Sequence, residues 1–169
     1  MSISASDVAK LRKTTGAGMM DCKKALTEAN GDFDRAIQII REKGQAVASK
    51  RADREASEGN VIAKVSADGK HGALIALNCE TDFVAKNEDF VKLAHEICDL
   101  ALEKQPADLA ALKALPFKNG KDVEGIITEQ IGIIGEKLEL ACYESLSGEV
   151  VCAYIHMGNK LATLAAFNK

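Results

Sequence analysis

An Asp68-Gly69 dipeptide separates two β-type runs, residues 61–65 and 73–79, and this feature restricts the fold most tightly. Asp-Gly suits the positive backbone angles of a tight hairpin turn. Flanks rich in Val, Ile, Leu and Ala suit a pleated surface with one buried side. An antiparallel pair is therefore expected here. Upstream the period changes. Residues 4–46 read as three helices. Ser4 or Ser6 caps the first, with Val8 and Leu11 on its apolar side, and Thr15-Gly16-Ala17-Gly18 ends it. The second spans 21–29 with Cys22, Ala25 and Leu26 inward. Asn30-Gly31-Asp32 turns the chain and caps the third, where Phe33, Ala36, Ile37 and Ile40 recur at helical spacing. Helical spacing followed by alternation predicts an α+β chain: a small three-helix N-terminal domain, then a core of antiparallel hairpins and helices.

Residues 47–58 are polar and mixed in charge, and read as a helix tail and linker. After the hairpin, Thr81 or Asp82 caps a helix expected to run to about residue 102, with Phe90, Ala94, Ile97 and Ala101 as its core stripe. A short helix is expected from Pro106 to Leu115, a loop over 116–121, and a further helix over 122–135 with Val123, Ile126, Ile127, Ile131 and Ile134 apolar. Residues 138–146 alternate loosely, as a strand does. Residues 148–169 lie over 59–80 at a constant offset of 89, which suggests a duplicated hairpin. The expected division is 1–46 as the three-helix domain, 47–58 as linker, 59–147 as a first core subdomain, and 148–169 as the opening strands of a second, incomplete one.

With seven aromatics (Phe 5, Tyr 2, Trp 0), aliphatic side chains must do most of the packing. A net charge of −3 supplies no global basic field for nucleic acid or an anionic membrane. No apolar run reaches membrane-span length. Five cysteines, none spaced Cys-x-x-Cys, fit a reducing compartment, and the expected location is cytoplasmic. The scattered histidines 71, 95 and 156 complete no metal pattern, and no cofactor is expected. Phosphate-cradling, nucleophile-elbow and zinc-protease motifs are all missing, so no catalytic residue is assigned.

Two constellations stand out instead. Met19-Met20 follows a glycine turn, where flexible thioethers suit an adaptable surface. One is expected inward and one outward. Residues 81–86 read Thr-Asp-Phe-Val-Ala-Lys, with Asp82 four residues before Lys86, a favourable helical pair. Phe83 is either a core anchor or a probe that enters a partner. Its spacing of seven from Phe90 favours the core.

The run from Thr15 to Leu26 (Thr-Gly-Ala-Gly-Met-Met-Asp-Cys-Lys-Lys-Ala-Leu), followed by Glu28-Ala29-Asn30-Gly31-Asp32, closely resembles the N-terminal signature of bacterial translation elongation factor Ts. Asn78-Cys79-Glu80-Thr81-Asp82-Phe83-Val84-Ala85-Lys86 resembles that family's second signature. The resemblance implies a guanine-nucleotide exchange factor for elongation factor Tu, acting on a GTPase without being an enzyme itself. It implies a ubiquitin-associated type of fold for the three-helix unit, docking through Leu11, Met19 and Met20. It implies that Asp82 and Phe83 perturb the partner's nucleotide site, with Thr81, Val84, Ala85 and Lys86 as the supporting motif. That moves Phe83 from core toward probe. The family continues beyond residue 169 with a second core subdomain, of which only the opening strands are expected here, and an unfinished sheet edge invites pairing with a second copy. The rival reading is a partner-binding module without exchange activity.

Overall fold

The computed structural model describes residues 3–168 and has mixed helix and antiparallel sheet, an α+β architecture. Its chain forms two compact units, Met1–Asp53 with Thr128–Glu136, and Arg54–Ile127 with Lys137–Lys169.

The first unit contains helices α1 (Ala5–Thr15), α2 (Met19–Glu28) and α3 (Phe33–Arg51). Ser4 is the cap of α1: its hydroxyl accepts from the Asp7 amide, and the Asp7 carboxylate accepts from the Ser4 amide. Gly16, at φ 71°, ends the helix in the left-handed conformation and donates its amide to the Arg12 carbonyl. Asp32 caps α3. Val8, Leu11, Cys22, Ala25, Leu26, Ala36 and Ile39 form the core, with Phe33, Ile37 and Ile40 packed against it. Ile39 is the buried position that the expected stripe omits.

In the second unit, β1 (Glu58–Val65) and β2 (His71–Cys79) form the expected hairpin, with Val61 opposite Ala76. The helix expected over 82–102 is in fact two: α4 (Asp82–Ala85) and α5 (Glu88–Lys104). Asn87 makes the break. Its side chain accepts from the Asp89 and Phe90 amides at 2.9 and 3.2 Å, starting a new helix with its own phase. Helix α6 (Leu109–Lys113) is capped by Asp108. The expected loop over 116–121 holds a small antiparallel pair, β3 (Pro116–Lys118) and β4 (Lys121–Asp122). Helix α7 (Val123–Ile134) follows, with only its residues up to Ile127 in this unit, and β5 (Leu138–Ser147) joins β2 to complete a three-stranded sheet in the order β1-β2-β5.

α5 covers one face of this sheet. It buries Phe90, Leu93, Ala94, Ile97, Cys98 and Ala101, and its Cys98 thiol reaches the Ile62 and Ala73 carbonyls. The opposite face carries Gly72, and onto it packs a second hairpin, β6 (Val150–Ile155) with β7 (Ala162–Phe167). This hairpin repeats the first, but the offset of 89 is corrected to 90. Val61 pairs with Ala76, and Val151 pairs with Ala166, so both strands superpose only at 90. A one-residue shift exchanges the two faces of every strand. At the corrected offset, sheet-facing Val151 matches Val61, and exposed Val150 and Phe167 match the helix-covered positions Asn60 and Leu77.

Candidate functional site

The candidate site is the end of β2 and the short helix that follows it. Cys79 is the last residue of β2. Its thiol donates to the Thr81 carbonyl at 3.2 Å, and the Glu80 carboxylate accepts from the Lys137 amide at 2.6 Å. Thr81 then caps α4, its hydroxyl accepting from the Val84 amide. Five residues after Thr81, Lys86 closes the helix with its amide on the Asp82 carbonyl. The strand end and the helix start are thus held by bonds to both neighbouring and distant backbone.

α4 has only one apolar contact face. Ala85 is buried, whereas Phe83 is 83% exposed. Two residues along a helix rotate by about 200°, so seating Ala85 against the fold aims Phe83 away from it. Phe90, which Phe83 was expected to join in one stripe, is only 2% exposed. The Asn87 cap explains the difference. Periodicity carries across a continuous helix, and this one restarts between the two rings.

Asp82 sits in the first turn, next to Phe83. Lys86 Nζ donates to Asp82 Oδ2 at 2.7 Å. That hydrogen bond and the adjacent ammonium charge hold the Asp82 carboxyl below the ordinary carboxylate range, with smaller contributions from Lys160 and the Phe83 amide. The same pairing raises Lys86 above the ordinary ammonium range, and Glu58 adds to it. Lys160 bonds to Glu58 and to the Gly59 carbonyl, which brings the β6–β7 turn close to this charge cluster. The tip therefore presents an exposed aromatic beside a carboxylate held ionised.

Thr81, Asp82, Phe83, Val84, Ala85 and Lys86 all belong to this tip. Leu11, Met19 and Met20 belong to the first unit. Leu11 does not lie open on the surface: it is completely buried among α1–α3. The expected split of the methionines does not occur either. Met19 is 42% and Met20 63% exposed, because the buried side of α2 begins at Cys22. Sequence reasoning missed Asn60 and the bond that joins Glu80 to Lys137. Asn60 left a legible trace: it is a polar residue in register with Ile62, at a core-facing position of a strand. Among the described residues, no group of His, Cys, Asp and Glu is arranged to hold a metal ion. No described helix is long and apolar enough to cross a membrane.

A family model described as Elongation factor TS matches residues 80–169, beginning at the strand end that carries the tip. This match defines the class, a translation elongation factor. Among curated proteins, elongation factor Ts of Porphyromonas gingivalis is 54% identical over 169 residues, covering 100% of this chain and 61% of that protein. The elongation factor Ts of Amoebophilus asiaticus is 56% identical over 166 residues, covering 98% of this chain and 60% of that protein. That of Bacteroides fragilis is 55% identical over 170 residues, covering 100% and 51%. The chain belongs to the elongation factor Ts family, and it spans between 51% and 61% of the length of these relatives.

Proposed function

We propose that this chain promotes GDP release from elongation factor Tu during translation elongation, acting as an exchange factor and not as an enzyme. The observation that carries the reading is the exposure of Phe83 on a pinned, four-residue helix, next to an ionised Asp82. An exchange factor makes and breaks no covalent bond. It binds the nucleotide-free GTPase more tightly than the nucleotide-bound form, and linkage requires nucleotide and factor to weaken each other's binding by the same factor. A rigid aromatic that gains contacts only when the partner's nucleotide site opens supplies that difference. Asp82 brings a negative charge toward a region that holds magnesium and phosphate, where it competes for the cation and repels the anion.

In this reading the three-helix unit has the ubiquitin-associated type of fold and docks through Met19 and Met20, while Leu11 shapes that surface from beneath. Residues 1–46 dock, 47–58 link, 59–147 carry the tip, and 148–169 open a second subdomain. The protein works in the cytoplasm, with no cofactor and no direct contact to nucleic acid or membrane. The exposed face of β6 and β7, with Val150, Cys152, Tyr154 and Phe167, supports pairing with a second copy, which sedimentation velocity tests.

Stopped-flow fluorescence of a labelled GDP on elongation factor Tu tests the main reading. Acceleration that saturates with this chain is expected. Tight binding with no faster release would replace the reading by a binding module without exchange activity.

A further inference from the structure

We propose that Asn60 is a positioning residue for the tip: its side-chain amide holds the last carbonyl of α4 and thereby sets the direction in which Phe83 projects. The proposal rests on the exchange reading for its functional consequence, though not for its structural content. Asn60 is 2% exposed and is the buried polar side chain of the described core. It stands on β1 opposite Leu77, in register with Ile62, on the face that α5 covers. At such a position an apolar side chain is the ordinary occupant, and an amide is costly unless it is bonded. Asn60 Nδ2 donates to the Ala85 carbonyl at 2.8 Å, across 25 residues of chain.

The acceptor is what gives this bond its meaning. A four-residue helix is too short to be stable alone, because nucleation costs more than one turn returns. Its last carbonyls have no partner inside the helix. In α4 the Asp82 and Val84 carbonyls accept from the Lys86 and Asn87 amides. The Ala85 carbonyl takes its bond from the sheet. At the other end, Thr81 and Glu80 tie the helix start to its own turn and to Lys137. The axis of α4 is thus fixed at both ends. Ala85 is seated inward, and Phe83, about 200° around the helix, is aimed outward. Without the Asn60 bond the N-terminal end stays tied while the C-terminal end is released. Phe83 then samples many directions, and the partner must select one of them.

The test compares parent, Asn60→Leu, Phe83→Ala and the double variant, all in the whole chain. Hydrogen exchange should accelerate about tenfold at the Ala85, Lys86 and Asn87 amides in Asn60→Leu, which is about 1.4 kcal/mol of local opening. Amides of β1, β2 and α5 should change much less. In labelled-GDP release, the maximal rate at saturating chain should fall about tenfold, with the half-saturating concentration changed less than twofold. In the Phe83→Ala background, Asn60→Leu should lower the rate by less than a further twofold, because both changes act through one ring. If Asn60→Leu does not fold, side-chain amide exchange in the parent decides the question: the Asn60 Nδ2 protons should exchange far more slowly than those of exposed Asn30. Equal loss of protection across β1, β2 and α5, additive effects with Phe83→Ala, or fast Asn60 side-chain exchange would each overturn the proposal. A parent chain that fails to accelerate release while its tip amides respond as expected would overturn the exchange reading alone.

Discussion

Replacing Phe83 by Ala separates a partner-facing ring from a structural one, and its expected size follows from exposure. Fully burying a phenylalanine side chain is worth about 1.5–3 kcal/mol. Phe83 is 83% exposed, so nearly all of that gain remains available to a partner, about 1.2–2.5 kcal/mol. If the ring is buried only as the nucleotide site opens, the whole amount acts on the release barrier. Phe83→Ala should then slow maximal GDP release by about 8- to 70-fold. Its own fold should lose almost nothing, because exposed substitutions usually change stability by less than about 0.5 kcal/mol. Phe90→Ala is the internal control. That ring is 2% exposed on the buried face of α5, and truncating it should cost about 3–5 kcal/mol. Two assays on the same preparations suffice: stopped-flow release of labelled GDP at saturating chain, and thermal unfolding by circular dichroism. A Phe83→Ala chain that releases GDP as fast as the parent at saturation would refute the reasoning. So would one that loses as much thermal stability as Phe90→Ala, since that would make Phe83 a core residue.

Other expectations follow from the same geometry. Gly72→Ala would place a methyl 2.8 Å from Val151 Cγ1 and 3.0 Å from Leu164 Cδ2, so the second hairpin must shift. A loss of about 1–3 kcal/mol is expected, read as a melting point lowered by a few degrees. Asp82 has a depressed folded-state pKa, so the stabilisation it draws from Lys86 is present above the unfolded carboxylate value and is lost as pH falls through the lower folded value. Carbon-13 NMR of the Asp82 carboxyl should show a midpoint below the ordinary range, and Lys86→Met should return it upward. Thiol labelling at pH 8 should modify exposed Cys152 first and half-buried Cys142 more slowly. Cys98 should resist, because burial pushes its thiol up to about 12 and leaves about one thiolate in ten thousand. Mass spectrometry of the labelled peptides reads that order. Met20→Ala should raise the half-saturating concentration for GDP release and leave the maximal rate near the parent value, because Met20 lies on the exposed side of α2 and not on the tip.

Much of the fold was legible because its signals are local. The Asp68-Gly69 turn, the Ser4 and Asp32 caps and the stop at Gly16 each act within about four residues of themselves. The core stripe of α5 followed from period alone. The misses share one cause. Asn87 is a cap as well as a helical residue, and once it restarts the helix the spacing from Phe83 to Phe90 carries no common phase. The repeat of the first hairpin was visible, yet its offset was wrong by one, since strand faces depend on pairing register and two weakly similar hairpins align almost as well one residue out. Leu11 and the two methionines show the same limit. Helical spacing identifies an apolar side but not which of its residues a neighbouring helix covers.

Sequence by itself determined the order of the longer elements, the antiparallel pairing of β1 with β2, and the presence of an acid and an aromatic at a strand-to-helix junction. These depend on turn chemistry, capping and period, all of which are short-range. Tertiary structure alone decided which phenylalanine is buried, which face of β6 and β7 meets the sheet, and what holds the tip. The Asn60 bond to Ala85 spans 25 residues and the Glu80 bond to Lys137 spans 57. No local pattern encodes such a bond. It exists only after the sheet has formed and brought donor and acceptor within about 3 Å of each other.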